Sequence, residues 1–129
     1  MYEVHVERSF VAQHYLTVPN CGPENEWHSH TFKVCLDIAS PSLNTHQYVV
    51  DIDDVNRALD AIEARYRDVT LNDLPEFEGK NPSVEWFARC VHAQALDVIE
   101  APPEDATLTV RIWEDDTAWA AYTAPMHDD

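Results

Sequence analysis

The stretch His28-Ser29-His30-Thr31-Phe32-Lys33-Val34-Cys35-Leu36-Asp37-Ile38 decides the fold. From residue 31 to residue 38 it alternates, with Phe32, Val34, Leu36 and Ile38 on one face and Lys33, Cys35 and Asp37 on the other. That period of two marks a half-buried strand. His28 and His30 share the parity of Phe32, so both imidazoles project from the apolar face. Upstream, Tyr2, Val4 and Val6 alternate with Glu3, His5 and Glu7 in the same way, and Ser9 to Leu16 is expected to continue that strand through a bend. A long hairpin then joins the two strands.

Downstream the period changes. Asp51 to Asp54 reads as a helix start, and Val55, Leu59, Ile62 and Tyr66 recur at helical spacing to an end near Arg67. Asn81-Pro82 reads as a second start, with Asn as cap and Pro at the first helical position. Val84, Phe87, Val91, Ala95 and Val98 then form one stripe, which Pro102-Pro103 should stop after about Glu100. Leu108, Val110 and Ile112 alternate with Thr109, Arg111 and Trp113, and residues 117–123 read as the return strand. The order ββααββ predicts an α+β domain over residues 1–129, an antiparallel sheet with two helices on one face. Its open edges call for cover by neighbouring subunits.

Composition narrows the function. Eight Lys and Arg against 24 Asp and Glu leave a formal charge of −16 on 129 residues, which argues against a nucleic-acid partner. Two glycines are too few for a Rossmann fingerprint or a Walker-type phosphate loop. With 45% apolar residues the chain can build a core. No basic-then-apolar leader and no apolar run of about 20 residues is present, so a soluble cytoplasmic protein without a membrane partner is expected. Three cysteines at no recurring spacing describe no disulfide framework. The acidity would be tolerated in molar salt, where the screening length is about 3 Å, which suggests a halophilic host; an acidic mesophilic protein is the alternative.

Three features carry chemistry. His14 has the parity of Phe10 and Ala12, so hairpin pairing brings it toward His28 and His30, and three neutral imidazoles from neighbouring strands suit zinc with one open position. The alternative is ordinary polar residues at strand ends. Glu114 continues the Leu108, Val110, Ile112 stripe where an apolar residue is due, and a buried carboxylate needs a partner such as the N–H edge of a ligand; otherwise the strand has simply reached solvent. Cys21, in the turn-like Asn20-Cys21-Gly22-Pro23, would favour its thiolate near a metal or a cation, or else is an inert thiol. Cys35 and Cys90 sit within regular elements and read as inert.

Taken together these residues resemble the 6-pyruvoyl tetrahydropterin synthase family, including the 6-carboxytetrahydropterin synthases of the queuosine pathway. Phe10-Val11-Ala12-Gln13-His14 is similar to that family's F-x-A-x-H, and Cys21 followed by His28-Ser29-His30-Thr31-Phe32-Lys33-Val34 to its Cys and HGH block. Val49-Val50-Asp51-Ile52, Leu71-Asn72-Asp73, Asn81-Pro82-Ser83-Val84-Glu85 and Val110-Arg111-Ile112-Trp113-Glu114 are similar to four more blocks in the family's order. The resemblance implies a T-fold subunit in a homo-oligomeric barrel, a trimer or hexamer, with sites between subunits. It implies zinc on His14, His28 and His30, Cys21 as catalytic thiol, and Glu114 as anchor for the pterin's 2-amino and ring N–H groups. The activity implied is that of a lyase converting 7,8-dihydroneopterin triphosphate to a 6-substituted tetrahydropterin.

Departures from the family pattern matter. Arg67-Asp68 stand where the family has an Asp-His pair, which makes Asp68 the candidate for the missing histidine's proton transfer. Six residues separate Cys21 from His28, more than is usual, and this loop holds Glu24 and Glu26. One branch of the family uses a glutamate instead of the cysteine to make 6-hydroxymethyl-dihydropterin, although neither glutamate stands at that branch's usual position. A non-catalytic paralogue that binds zinc and pterin is a further alternative, as is a zinc-free structural oligomer. A triphosphate substrate also requires that Arg8, Lys33 or zinc offset the acidic field.

Overall fold

The computed structural model describes residues 1–127. Its elements are β1 (Tyr2–His14), β2 (His28–Ser40), α1 (Ile52–Tyr66), α2 (Val84–Leu96), β3 (Thr107–Trp113) and β4 (Trp119–Pro125), the ββααββ order expected, with short 3₁₀ turns at Gly22–Asn25, Leu71–Asp73 and Pro75–Phe77. The sheet runs β1-β2-β3-β4, each pair antiparallel. β1 continues unbroken to His14 where a bend was expected, because it pairs residue for residue with β2 from Tyr2↔Ser40 to His14↔His28.

That register puts the apolar stripes in line: Phe10 faces Phe32, Leu36 faces Val110, and Val34 faces Ile112. Phe32, Val34, Leu36, Ile38, Leu108, Val110 and Ile112 are fully buried on this face. Both helices cover it, α1 against β1 and α2 against β3 and β4. α1 is capped by Asp51, whose side chain accepts from the Asp53 N–H at 2.9 Å, and it buries Val55, Ala58, Leu59, Ile62 and Tyr66. Phe87 of α2 sits edge-on to both Phe32 (5.2 Å) and Tyr66 (5.1 Å), joining sheet to helices. Arg8 occupies an apolar-stripe position, and its guanidinium is neutralised by Asp60 (2.7 Å) and Glu63 (3.2 Å) of α1.

The second helix departs from expectation at both ends. Its cap is Ser83, which accepts from the Trp86 N–H at 3.1 Å. Asn81 is committed elsewhere, its Oδ1 accepting from the Thr17 N–H at 2.8 Å and tying down the chain beyond β1. The helix stops at Leu96, and Ile99 turns back into the core. β4 begins at Trp119 because Asp115 Oδ1 accepts from Thr117 and Ala118 to form the preceding turn. Cys35 lies on the polar face as read, yet it is buried, which pushes its thiol pKa up. Among the described residues no helix is long and apolar enough to cross a membrane.

Candidate metal centre

Strand pairing assembles the three histidines. His14 and His28 are direct partners at the end of the β1–β2 ladder, and His30 pairs with Ala12 one same-face step inward. The rings stand 4.5 Å (His14–His28), 5.4 Å (His14–His30) and 4.8 Å (His28–His30) apart. Phe32 forms the floor, with its ring edge-on to His14 at 5.7 Å and 5.5 Å from His30.

Two of the rings have their orientation fixed from behind. His14 is 1% exposed, and its Nδ1 lies 2.9 Å from the Pro82 carbonyl. His28 Nδ1 lies 2.7 Å from the Glu26 carbonyl. A carbonyl can only accept, so in each ring Nδ1 carries the proton and Nε2 is left with a lone pair when the ring is neutral. The Nε2 atoms of all three histidines are buried without a hydrogen-bond partner. Burial, reinforced by His28 and His30 nearby, lowers the His14 pKa against the opposing pull of the Pro82 carbonyl, so the neutral ring is favoured. Ring nitrogens held from behind by carbonyls, with unsatisfied lone pairs converging in front, form a donor set that could hold a metal ion.

Glu24 joins this group. Each of His14, Glu24, His28 and His30 offers a ligand atom, and these atoms all lie within 4.8 Å of one another. Glu24 Oε2 is 3.1 Å from His28 Nε2, outside hydrogen-bond geometry. Glu114, just past the end of β3, places Oε1 3.1 Å from His30 Nε2 and borders a hollow of about 110 Å³ with Val84, Glu85 and Trp119. A second cluster, His5, Glu7 and Cys35, lies on the open face of the sheet. There both His5 nitrogens already face carboxylates, Asp37 at 2.6 Å and Glu7 at 2.9 Å, so an ion-paired imidazolium accounts for it.

The remaining sequence candidates lie apart. Cys21 is half-buried at the start of the Gly22–Asn25 turn and stands outside the four-residue group. Asp68 takes a left-handed conformation (φ 57°), and its backbone N–H donates to the Val11 carbonyl on the outer edge of β1, where the Val69 carbonyl also accepts from the Gln13 N–H. Its carboxylate is 71% exposed and lies 3.7 Å from Arg67 Nε. Sequence reading missed Pro82 as an orienting carbonyl and Glu24 as a member of the cluster. The spacing of Glu24 four residues before His28 was the available signal, but in an irregular loop that spacing fixes no direction.

A family model described as 6-pyruvoyl tetrahydropterin synthase matches residues 3–125. Comparison with curated proteins gave no match. Among solved structures, a Caenorhabditis elegans 6-pyruvoyl tetrahydropterin synthase superposes with a TM-score of 0.76 at 19% identity, over 96% of this chain and 97% of its own. A Plasmodium vivax 6-pyruvoyltetrahydropterin synthase, carrying alanine in place of a catalytic glutamate, gives 0.77 at 15% identity over 96% and 98%. An uncharacterised Wolinella succinogenes protein gives 0.61 at 16% identity over 94% and 97%. At these identities the structural matches speak for the fold, and the family match covers nearly all of the described chain.

Proposed function

The chain belongs to the 6-pyruvoyl tetrahydropterin synthase family, and on that premise we propose that it is a zinc-dependent lyase acting on 7,8-dihydroneopterin triphosphate, nearest in kind to the 6-carboxytetrahydropterin synthases. The observation that carries the reading is the convergence of three buried, unpartnered Nε2 atoms from His14, His28 and His30. Zinc held there would supply Lewis acidity, making substrate hydroxyls easier to deprotonate. Everything else falls to the chain's own side chains.

Glu114 is the anchor for the pterin. Its carboxylate lies beside His30 and remains partly open, so it can accept from the paired N–H groups of a pterin edge while the substrate's side chain reaches the histidines. Cys21, at the start of the turn that also carries Glu24, is assigned the proton-transfer role and would have to move toward the histidines to perform it. Asp68 stands outside its own chain's cluster, and its exposed carboxylate on the outer side of the sheet, beside β1, suits a role in a neighbouring subunit's site within a homo-oligomer.

Incubating the zinc-loaded protein with 7,8-dihydroneopterin triphosphate in high salt and separating the products tests the proposal. A 6-substituted tetrahydropterin is expected from the wild type and none from Cys21→Ala. Absence of both turnover and pterin binding ends the proposal. Zinc and pterin binding without reaction in either protein identifies a non-catalytic paralogue.

A further inference from the structure

We infer that Glu24 is a fourth protein ligand to the metal, closing in the resting site the position that three histidines alone leave open. The inference rests on the metal reading above and changes its ligand set from three histidines to three histidines and a carboxylate.

The strongest constraint lies at His28. Its Nδ1 hydrogen is committed to the Glu26 carbonyl at 2.7 Å, so in the neutral ring the Nε2 lone pair faces the Glu24 carboxylate at 3.1 Å. Two acceptors at that distance repel unless a proton or a cation lies between them. A proton on Nε2 would draw the carboxylate onto the N–H axis, and Glu24 is off that axis. A cation shared by both groups satisfies the geometry. It also satisfies His14, which is 1% exposed with an unpartnered Nε2 and whose ligand atom lies within 4.8 Å of Glu24's. The His5 cluster supplies the contrast, since there each ring nitrogen meets a carboxylate with good hydrogen-bond geometry and neither nitrogen is orphaned.

Glu24 is held by the scaffold. The Leu16 N–H donates to the Glu24 carbonyl at 2.7 Å, and Asn25 Nδ2 donates to the carbonyls of Leu16 (2.9 Å) and Val18 (2.8 Å). Asn25 Oδ1 in turn accepts from the Cys21 N–H at 3.0 Å. The 3₁₀ turn is thereby fastened to the chain just beyond β1, the strand that carries His14. A carboxylate so placed completes a four-coordinate set for zinc. A substrate hydroxyl approaching the metal would then meet the Glu24 carboxylate, which stands beside it as a proton acceptor.

The test uses the full-length protein loaded with cobalt(II) in place of zinc, comparing the wild type with Glu24→Gln, Glu24→Ala and His14→Ala. The readouts are the visible cobalt spectrum and metal affinity by chelator competition. Glu24→Ala is expected to shift the spectrum and weaken binding at least about tenfold, with acetate restoring the wild-type spectrum. Glu24→Gln, which keeps the shape, is expected to behave like Glu24→Ala without acetate. Wild-type spectrum and affinity in both Glu24 variants would overturn the inference while leaving the metal reading intact. A wild type that binds neither cobalt nor zinc, or a His14→Ala variant that binds as well as the wild type, would overturn the metal reading itself. Circular dichroism of each variant shows that any loss of binding is not a loss of fold.

Discussion

Glu76 offers a quantitative check on how the helices are locked over the site. Its carboxylate accepts from Arg65 Nε at 2.7 Å and Nη2 at 2.6 Å, and from the Tyr66 hydroxyl at 2.7 Å, while its backbone carbonyl accepts from Trp86 Nε1 at 3.0 Å. One residue thus ties the end of α1 to the start of α2, directly behind the Tyr66–Phe87–Phe32 stack that floors the histidines. The Arg65 guanidinium, then the Tyr66 hydroxyl, hold the Glu76 pKa down from 4.5 to about 2 against the opposing effect of burial. Fully expressed, that difference is worth about 3 kcal/mol. The Arg65 side chain is 37% exposed and Glu76's 24%, so solvent screening reduces it to about 1–2 kcal/mol. Because the folded pKa is depressed, this stability is present above pH 4.5 and is lost as pH falls from 4.5 through about 2. Glu76→Gln removes the charge and keeps the shape. Urea unfolding followed by tryptophan fluorescence should place the variant about 1–2 kcal/mol below wild type at pH 7, with the gap closing toward pH 2. Other carboxylates titrate in both proteins and cancel in the difference. A gap that stays constant with pH, or one under about 0.3 kcal/mol at pH 7, refutes the reasoning.

Further outcomes follow from the packing and the charge. Phe32→Ala empties a fully buried site against His14, His30 and Phe87 and should cost about 3–5 kcal/mol in urea unfolding, with metal affinity falling in parallel; unchanged affinity in the folded variant would show that Phe32 does not position the rings. Ser83→Ala should lower stability by about 1 kcal/mol through loss of the α2 cap, and an effect below about 0.3 kcal/mol would return the cap to another residue. At −16 net charge the melting temperature should rise from dilute buffer to molar KCl, and a flat response would remove the case for salt adaptation.

Legibility of the fold tracked the range of the interactions that set it. Strand parity is local, so the face shared by Phe10, Phe32, Leu108, His14, His28 and His30 could be read directly from residue spacing. Asn81-Pro82 carries the chemistry of a helix start, but its partner is Thr17, 64 residues away, and nothing near Asn81 announces that competition. Arg8 breaks an apolar stripe for the same kind of reason, its acidic partners lying 52 and 55 residues along the chain. Within the site, residues on paired strands were legible and those on the connecting loop were not. Glu24 and Cys21 share one turn, yet only the structure shows that the carboxylate joins the histidines while the thiol stands outside the group.

The cations alter the account of how a phosphorylated substrate would be met. Arg8 is held by Asp60 and Glu63, Arg57 by Asp54, Arg65 by Glu76 and Arg67 by Glu63. Lys33 lies on the open face, 3.8 Å from Glu7 and over the Trp113 ring, and Arg111 lies near Asp37 and over Trp119. Lys80 and Arg89 stack on Trp86. All eight Lys and Arg side chains therefore lie against a carboxylate or an aromatic ring, and Arg8 and Lys33 would have to leave Asp60, Glu63 and Glu7 to serve an incoming phosphate from within the same subunit. The charged side chains nearest the histidines are the carboxylates of Glu24 and Glu114. The metal or a neighbouring subunit is then the better source of positive charge for the proposed triphosphate. Salt that screens the acidic surface would ease the approach of such a substrate, the reverse of its usual effect where lysines and arginines line a phosphate site.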